Sequence, residues 1–326
     1  MNRQILLLIG NAMGTGLLLL SLSGHAQSYP TKPVRVVVAF LAGGGDDYIA
    51  RLIAPKLTEE LGQQVVVENR PGAGGLIGWE HVAKSVPPDG YTLALGGGSM
   101  TTVPSLRSKP PFDLLRDFTP ISLISTTSLV LVVHPSVPAR TVKELITLAR
   151  TRPGKLNYAS PGAGALPHLS AELFKSMARI DIVHVPYKGA PPVYVDLISG
   201  RVDMFFGTLT SVLPHVPSGK VRALGVTGAK RAAVLPDIPT IAEAALPGYE
   251  ISGWFAIHGP SGMPRGIVNR LNAAIHKVVA MPDVRERLLK VGAEPQTNTP
   301  EQMAAMMNAG VDKFGNIIRT AGIKAD

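Results

Sequence analysis

The run Phe40-Leu41-Ala42-Gly43-Gly44-Gly45-Asp46 places three consecutive glycines between a β-branched stretch and an amphipathic one. Without Cβ atoms, successive backbone N–H groups can point outward together, and the first turn of the following helix adds N–H groups with no partner in the helix. Such a junction binds anions. The same glycines would also serve a tight connection for steric reasons alone. A second run, Ser160-Pro161-Gly162-Ala163-Gly164-Ala165-Leu166-Pro167-His168, repeats the arrangement. Two helix N-termini facing one cleft would each favour a carboxylate by about 0.3–1 kcal/mol. Each backbone hydrogen bond to a charged group adds about 1.5–3 kcal/mol. Together these allow micromolar capture of a small acid after the entropy of association is subtracted.

Asp46 puts a carboxyl group at the mouth of the first loop. Two like charges ~4 Å apart at an effective dielectric of about 20 repel by about 4 kcal/mol, enough to cancel several backbone hydrogen bonds. Either Asp46 turns back onto its helix as an N-cap, bonding Ile49 or a neighbouring N–H, or it receives a cationic or hydroxyl group of a ligand. The second arrangement would favour an amino or hydroxy acid, or an aromatic monocarboxylate, over a citrate-like trianion.

Other chemistries find no support. No serine is flanked as G-x-S-x-G and no histidine opens H-E-x-x-H, so a hydrolase, the best enzymatic rival, lacks its motif. Neither glycine loop completes G-x-G-x-x-G, since Tyr48 and Pro167 occupy the third-glycine positions, and there is no Walker lysine. The eight histidines lie apart and cysteine is absent, which excludes disulfides, thiolate metal sites and cysteine nucleophiles. The expectation is a binding protein with no catalytic residue, no cofactor and no metal. His168 is expected to orient its loop, and His184 to pack beside Tyr187 in the core. The net charge of +9 is spread singly along the chain, with no arginine-rich arm, so nucleic acid is not an expected partner. A basic surface would still draw small anions toward a cleft.

The elements that must position these loops repeat a strand, glycine-turn and helix pattern. Val34 to Ala39 reads as strand, Asp46 to Leu61 as helix with Ile49, Leu52, Ile53 and Leu57 on one face, and Gln64 to Glu68 as strand. Gly62 stops that helix, and Pro55 should kink or divide it. A second unit has a strand at Leu129 to Val133, a helix to Arg150 opened by a Thr141/Glu144 capping box, a strand at Leu156 to Ser160, and a helix at Leu169 to Met177. Repeated βαβ units predict a parallel sheet in an α/β protein. Thr299, Pro300 and Gln302 start a late helix whose Met303, Met306 and Met307 read as core.

At the N-terminus, Arg3 precedes an apolar run from Ile5 to Leu22, and Gly24 and Ala26 bracket His25. That predicts a secretory signal peptide over residues 1–26, cut before Gln27. Some 300 of the 326 residues remain, 45% of the whole being apolar, so two domains are expected.

Many further segments carry a resemblance. They include Tyr29 to Pro33, the triple glycine with Asp47 and Ala50-Arg51, Val66 to Ile77 (VVENRPGAGGLI), Pro88 to Leu95 (PDGYTLAL) and Asp117 to Leu123. Lys155 to Ser160, His184 to Gly189 (HVPYKG), Gly225 to Arg231 (GVTGAKR), Leu235 to Ile241, Val284 to Leu288 and Gly292 to Pro295 follow. With these, the chain resembles the Bug family, the extracytoplasmic receptors of tripartite tricarboxylate transporters, over essentially its whole mature length.

The resemblance implies a fold of the periplasmic binding protein type II class, two α/β domains with central mixed sheets around a ligand cleft. Domain 1 would comprise residues 27–126 and 253–326, and domain 2 residues 127–252, with crossings near 126 and 252. It implies a monomeric periplasmic protein that delivers a small carboxylate ligand to integral-membrane transporter subunits; a sensory module with a membrane signalling partner would use the same site. By position, Gly43, Gly44, Gly45, Ser160, Gly162, Ala163 and Gly164 would grip one ligand carboxylate, with Asp46, Asp47 and His168 beside them. Ser99 and Thr101 from the Gly96 to Thr102 loop, and Gly207 and Thr208, would read the rest of the ligand. The chain departs from the family pattern at Leu41 and Ala42, where paired prolines are usual, and at Asp46, where threonine or serine is. It departs again at Ala165 and Leu166, in place of small hydroxyl residues, and at Gly207, in place of an acid. Leu166 and Gly207 imply a more apolar, roomier pocket.

Overall fold

Val34–Val38 (β1) is β-branched at four of its five residues and buried at four of five, as a strand covered on both faces requires. In the computed structural model, which describes residues 29–107 and 109–323, this strand lies inside a mixed sheet. The expected signal peptide and its cleavage point fall outside the described residues. The chain divides into Met1–Thr31 and a compact unit, Lys32–Asp326, and everything below concerns the latter.

β1 pairs in parallel with Val65–Asn69 (β2) and Thr92–Gly97 (β3). The helix Gly45–Leu61 (α1) joins β1 to β2, and Leu76–Lys84 (α2) joins β2 to β3. Gly62, left-handed at φ 70°, ends α1 as the sequence predicts. Pro55 does not divide α1, which runs unbroken through it. Pro55 and Arg51 are both exposed, so the Arg51 carbonyl that loses its helical partner can face solvent.

The strand expected at Leu129 to Val133 is the last part of a much longer one, Phe118–Val133 (β4). Its Ser125–Ser128 stretch has no apolar alternation, which hid the continuity. Pairing keeps it extended: Ser252–Pro260 (β9) runs antiparallel to residues 118–128 of β4, and Ala293–Pro295 (β10) pairs with residues 125–127. From Leu129 onward β4 changes partners to Met204–Thr208 (β7) and Arg222–Val226 (β8), both antiparallel. β7 is followed by Asn157–Ser160 (β5) and Val183–Pro186 (β6), parallel to one another. Two mixed sheets therefore share β4, and the exchange of partners falls at Ser128, opposite Ser252.

Beyond that exchange, Leu129, Leu131 and Val133 face one core with Tyr158, Phe174 and Phe206, while Val130 and Val132 face another with Phe205 and Val193. This is the period-two alternation of a strand covered on both faces. The first sheet packs Trp79, Met100 and Phe118 against Met303 and Met307 of the last helix, Pro300–Ala321. The methionine stripe is thus core, and the Thr299/Gln302 capping box is formed in both directions. At Val142–Thr151 the Thr141 hydroxyl accepts from Glu144 N–H, but the Glu144 carboxylate reaches Arg140 N–H instead of Thr141. The helix after the second glycine loop spans Leu166–Ala178 (α3), starting earlier than its apolar pattern suggests. No helix among the described residues is long and apolar enough to cross a membrane.

Candidate functional site

The first turn of α1 opens into a narrow cleft of about 60 Å³, its walls supplied by both sheets. Gly44, Gly45 and Asp46 line it from the first glycine loop, and Gly97, Gly98 and Ser99 from the loop after β3. Thr127, Gly253, Trp254 and Phe255 close it where the two sheets exchange strands. Phe205, Thr208 and Ser211 form the wall from the second sheet, with Pro161, Ala165, Leu166 and Pro167 from the second glycine loop.

Glycine at position 45 is demanded by proximity: a Cβ there would lie 2.4 Å from Thr210 Oγ1 and 2.7 Å from Thr208 Oγ1. The helix start therefore abuts a cluster of hydroxyls, in which Thr208 bonds Thr210 at 2.9 Å and Ser211 at 2.8 Å. Gly44 is the N-cap residue of α1 and no side chain caps it, so first-turn N–H groups remain for a ligand.

The two adjacent acids have opposite fates. Asp47 is buried, accepting from Gly43 N–H at 2.9 Å, from Arg51 Nε at 2.9 and 3.0 Å, and from Asn69 Nδ2 at 2.9 Å. Burial alone would raise its pKa, but the Arg51, Gly43 and Asn69 donors hold it below the ordinary carboxylate range. Asp47 thus fastens the loop and does not line the cleft. Asp46 does line it. The N-cap arrangement for Asp46 is excluded, because its carboxyl is hydrogen-bonded only by its own backbone N–H. Burial pushes that carboxyl up to about 6, and the neighbouring Asp47 charge adds to the effect.

The second loop contributes shape more than donors. Gly162 N–H is directed to Ser160 Oγ at 3.2 Å, Gly164 N–H to His168 Nδ1 at 3.3 Å, and Leu166 N–H to Ser99 Oγ at 3.0 Å. Ser160 is itself buried, its hydroxyl 2.7 Å from His184 Nε2. His168 and His184 stack at 4.3 Å, and His184 stacks on Tyr158 at 4.8 Å. Hence Ser160 and His168 shape the loop from behind, as sequence suggested for His168 alone. Gly162 and Ala163 line an adjoining cavity that shares Phe40 and Pro161 with the cleft and includes Arg107 and Lys188.

Two further positions differ from expectation. Thr101 is fully buried, donating to Gly98 O at 2.6 Å. Gly207 leaves no extra room, because a Cβ there would meet Val212, Phe205 and Tyr194 within 2.8 Å. Of the residues named from sequence, Gly44, Gly45, Asp46, Ser99 and Thr208 line the cleft, with Gly43 shaping the turn at φ 85°. The aromatic wall of Phe205, Trp254 and Phe255 was missed, since apolar residues inside strands read only as core.

The family model described as the tripartite tricarboxylate transporter family receptor, TctC, matches residues 49–323. The chain belongs to this family. A "UPF0065 protein in tcbD-tcbE intergenic region" from Pseudomonas sp. (strain P51) is 40% identical over 309 residues, 94% of this chain and 92% of that protein. The structure of R. palustris Rpa4515 with adipate has a TM-score of 0.88 at 39% identity, covering 91% of this chain and 99% of that one. The periplasmic binding protein BugD also reaches 0.88, at 33% identity, over 91% and 100% of the two chains. The fold of this TctC-family chain is accordingly of the periplasmic binding protein type II class, and the family consists of solute receptors, not enzymes.

Proposed function

We propose that this TctC-family receptor works in the periplasm, captures a small carboxylate-bearing molecule in the cleft and delivers it to integral-membrane transporter subunits. The observation that carries this reading is the first turn of α1, whose N–H groups open into a walled cavity beside the hydroxyls of Ser99, Thr208 and Ser211. A carboxylate set there would be held by the helix dipole and by charge-assisted hydrogen bonds. Adipate in the Rpa4515 structure is a ligand of this class.

The mature chain would begin at Gln27 and act as a monomer. Residues 27–126 with 253–326 would move as one domain and 127–252 as the other, hinged where β4 and β9 pass between the sheets. Closure would bury the ligand between them. A thermal-shift panel of mono-, di- and tricarboxylates, aromatic acids and amino acids tests the proposal. At 100 times its dissociation constant a ligand contributes about 2.7 kcal/mol, a shift of a few degrees. If no acid in the panel raises the melting temperature, carboxylate capture is wrong.

A further inference from the structure

We infer that Asp46 receives a ligand ammonium group, so that the molecule captured is a zwitterionic amino acid with an apolar side chain. This rests on the capture of a carboxylate proposed above and specifies what accompanies it. Among the described residues lining the cleft, Asp46 carries the only charged side chain. No lysine, arginine or histidine faces it. Asp47 is the charged neighbour on its own helix and is fully engaged by Arg51, Asn69 and Gly43. The opposing elements bring the hydroxyls of Ser99, Thr127, Thr208 and Ser211 and apolar or glycine positions.

A desolvated carboxylate without a cation is unfavourable, which is why burial displaces its ionisation upward. Structural need does not account for it, since Asp46 does not cap α1 and forms no ion pair among the described residues. A carboxyl whose one bond within the protein is to its own backbone N–H, set at the ligand site, is explained by a bond to the ligand. A dicarboxylate or tricarboxylate brings further negative charge into a cleft that already holds an acid and no cation. An amino acid instead brings its ammonium group within a few ångströms of its carboxylate. The α1 first turn and Asp46 are adjacent in the same way, so one α-carbon can serve both. The rest of the cavity is walled by Phe40, Leu166, Phe205, Trp254 and Phe255, which suits an aliphatic or aromatic side chain.

The test is calorimetry at pH 7.5 on the mature wild-type chain, Asp46→Asn and Asp46→Thr. The probes are phenylalanine and leucine, their deaminated analogues 3-phenylpropionate and 4-methylpentanoate, and adipate. The wild type should bind an amino acid at least about tenfold more tightly than its deaminated analogue, the scale of one hydrogen bond between charged groups. Both variants should lose that ratio while keeping or improving affinity for the analogues and adipate. The inference is overturned if adipate or a deaminated acid is preferred by the wild type, or if the ratio survives in the variants. Proton uptake when a deaminated acid binds, read from buffers of different ionisation enthalpy, would also overturn it by showing Asp46 as a proton-sharing partner of a carboxylate. The wild-type comparison depends on no variant. Binding of adipate alone would leave carboxylate capture standing, whereas no binding by any probe would remove both readings.

Discussion

The Thr102 hydroxyl donates to the Gly164 carbonyl at 2.7 Å, tying the loop after β3 to the loop before α3. With Leu166 N–H on Ser99 Oγ at 3.0 Å, it joins the two walls of the cleft by bonds that need no ligand. Replacing Thr102 by Val removes one such bond and leaves the Gly164 carbonyl without that donor. Affinity for whichever acid most stabilises the wild type should fall roughly two- to tenfold, the worth of one neutral hydrogen bond. Unchanged affinity on titration would mean that the Thr102 bond does not contribute to closure.

Gly74 provides a harsher test. Its φ is 67°, and a Cβ added there would lie 2.4 Å from the Ala163 carbonyl oxygen of the opposite wall. Backbone cannot yield as a flexible side chain does, so Gly74→Ala should hold the walls apart and cost about tenfold or more in affinity. X-ray scattering at ligand saturation should give a larger radius of gyration than for the wild type. Equal radii would show that the two loops do not meet in the closed form.

The buried carboxyl of Asp46 links stability to pH. Its folded pKa is raised to about 6 from 3.8, so the unfolded chain gives up this proton first as pH rises. The contribution of Asp46 to stability is lost between pH 3.8 and about 6 and stays absent above. Asp46→Asn should therefore stabilise the fold at pH 7.5 by on the order of 1–2 kcal/mol, after allowing for the partial exposure of the residue, and so raise the melting temperature. The gain should disappear near pH 4. Calorimetric melting across that range decides it, and a lower melting temperature for the variant at pH 7.5 would contradict the placement.

His258 acts in the acid direction. It is fully buried on β9 against Phe118 and Trp254, neither ring nitrogen has a hydrogen-bond partner, and burial pushes it down to about 3. Below pH 6.5 the unfolded chain takes up a proton here that the folded chain refuses, so stability falls from about 6.5 toward 3. The slope from this one group is about 1.4 kcal/mol per pH unit. His258→Leu should flatten the fall in denaturant midpoint between pH 6 and 4. An identical slope would show that His258 does not govern acid stability.

Local pattern was enough to read much of this chain, because helix starts, stops and strand faces are set by neighbours in sequence. Gly62 ends α1, the Thr299/Gln302 box opens the last helix, and the glycines at 43–45 mark an anion-binding junction, each through interactions spanning a few residues. What sequence left open at Asp46 depended on partners far along the chain. Asn69, 22 residues away, joins Arg51 in engaging Asp47, while Asp46 is left facing the cleft with only its own backbone N–H as donor. Likewise β4 could be seen as one strand only after β9 and β10 supplied hydrogen bonds to its polar middle. The second glycine loop looked like a donor of amides, and tertiary contacts with Ser99, Ser160 and His168 reassigned those amides to the protein itself. A backbone N–H has one bond to give, and whether a ligand or a distant side chain receives it is decided by folding, not by the residues on either side.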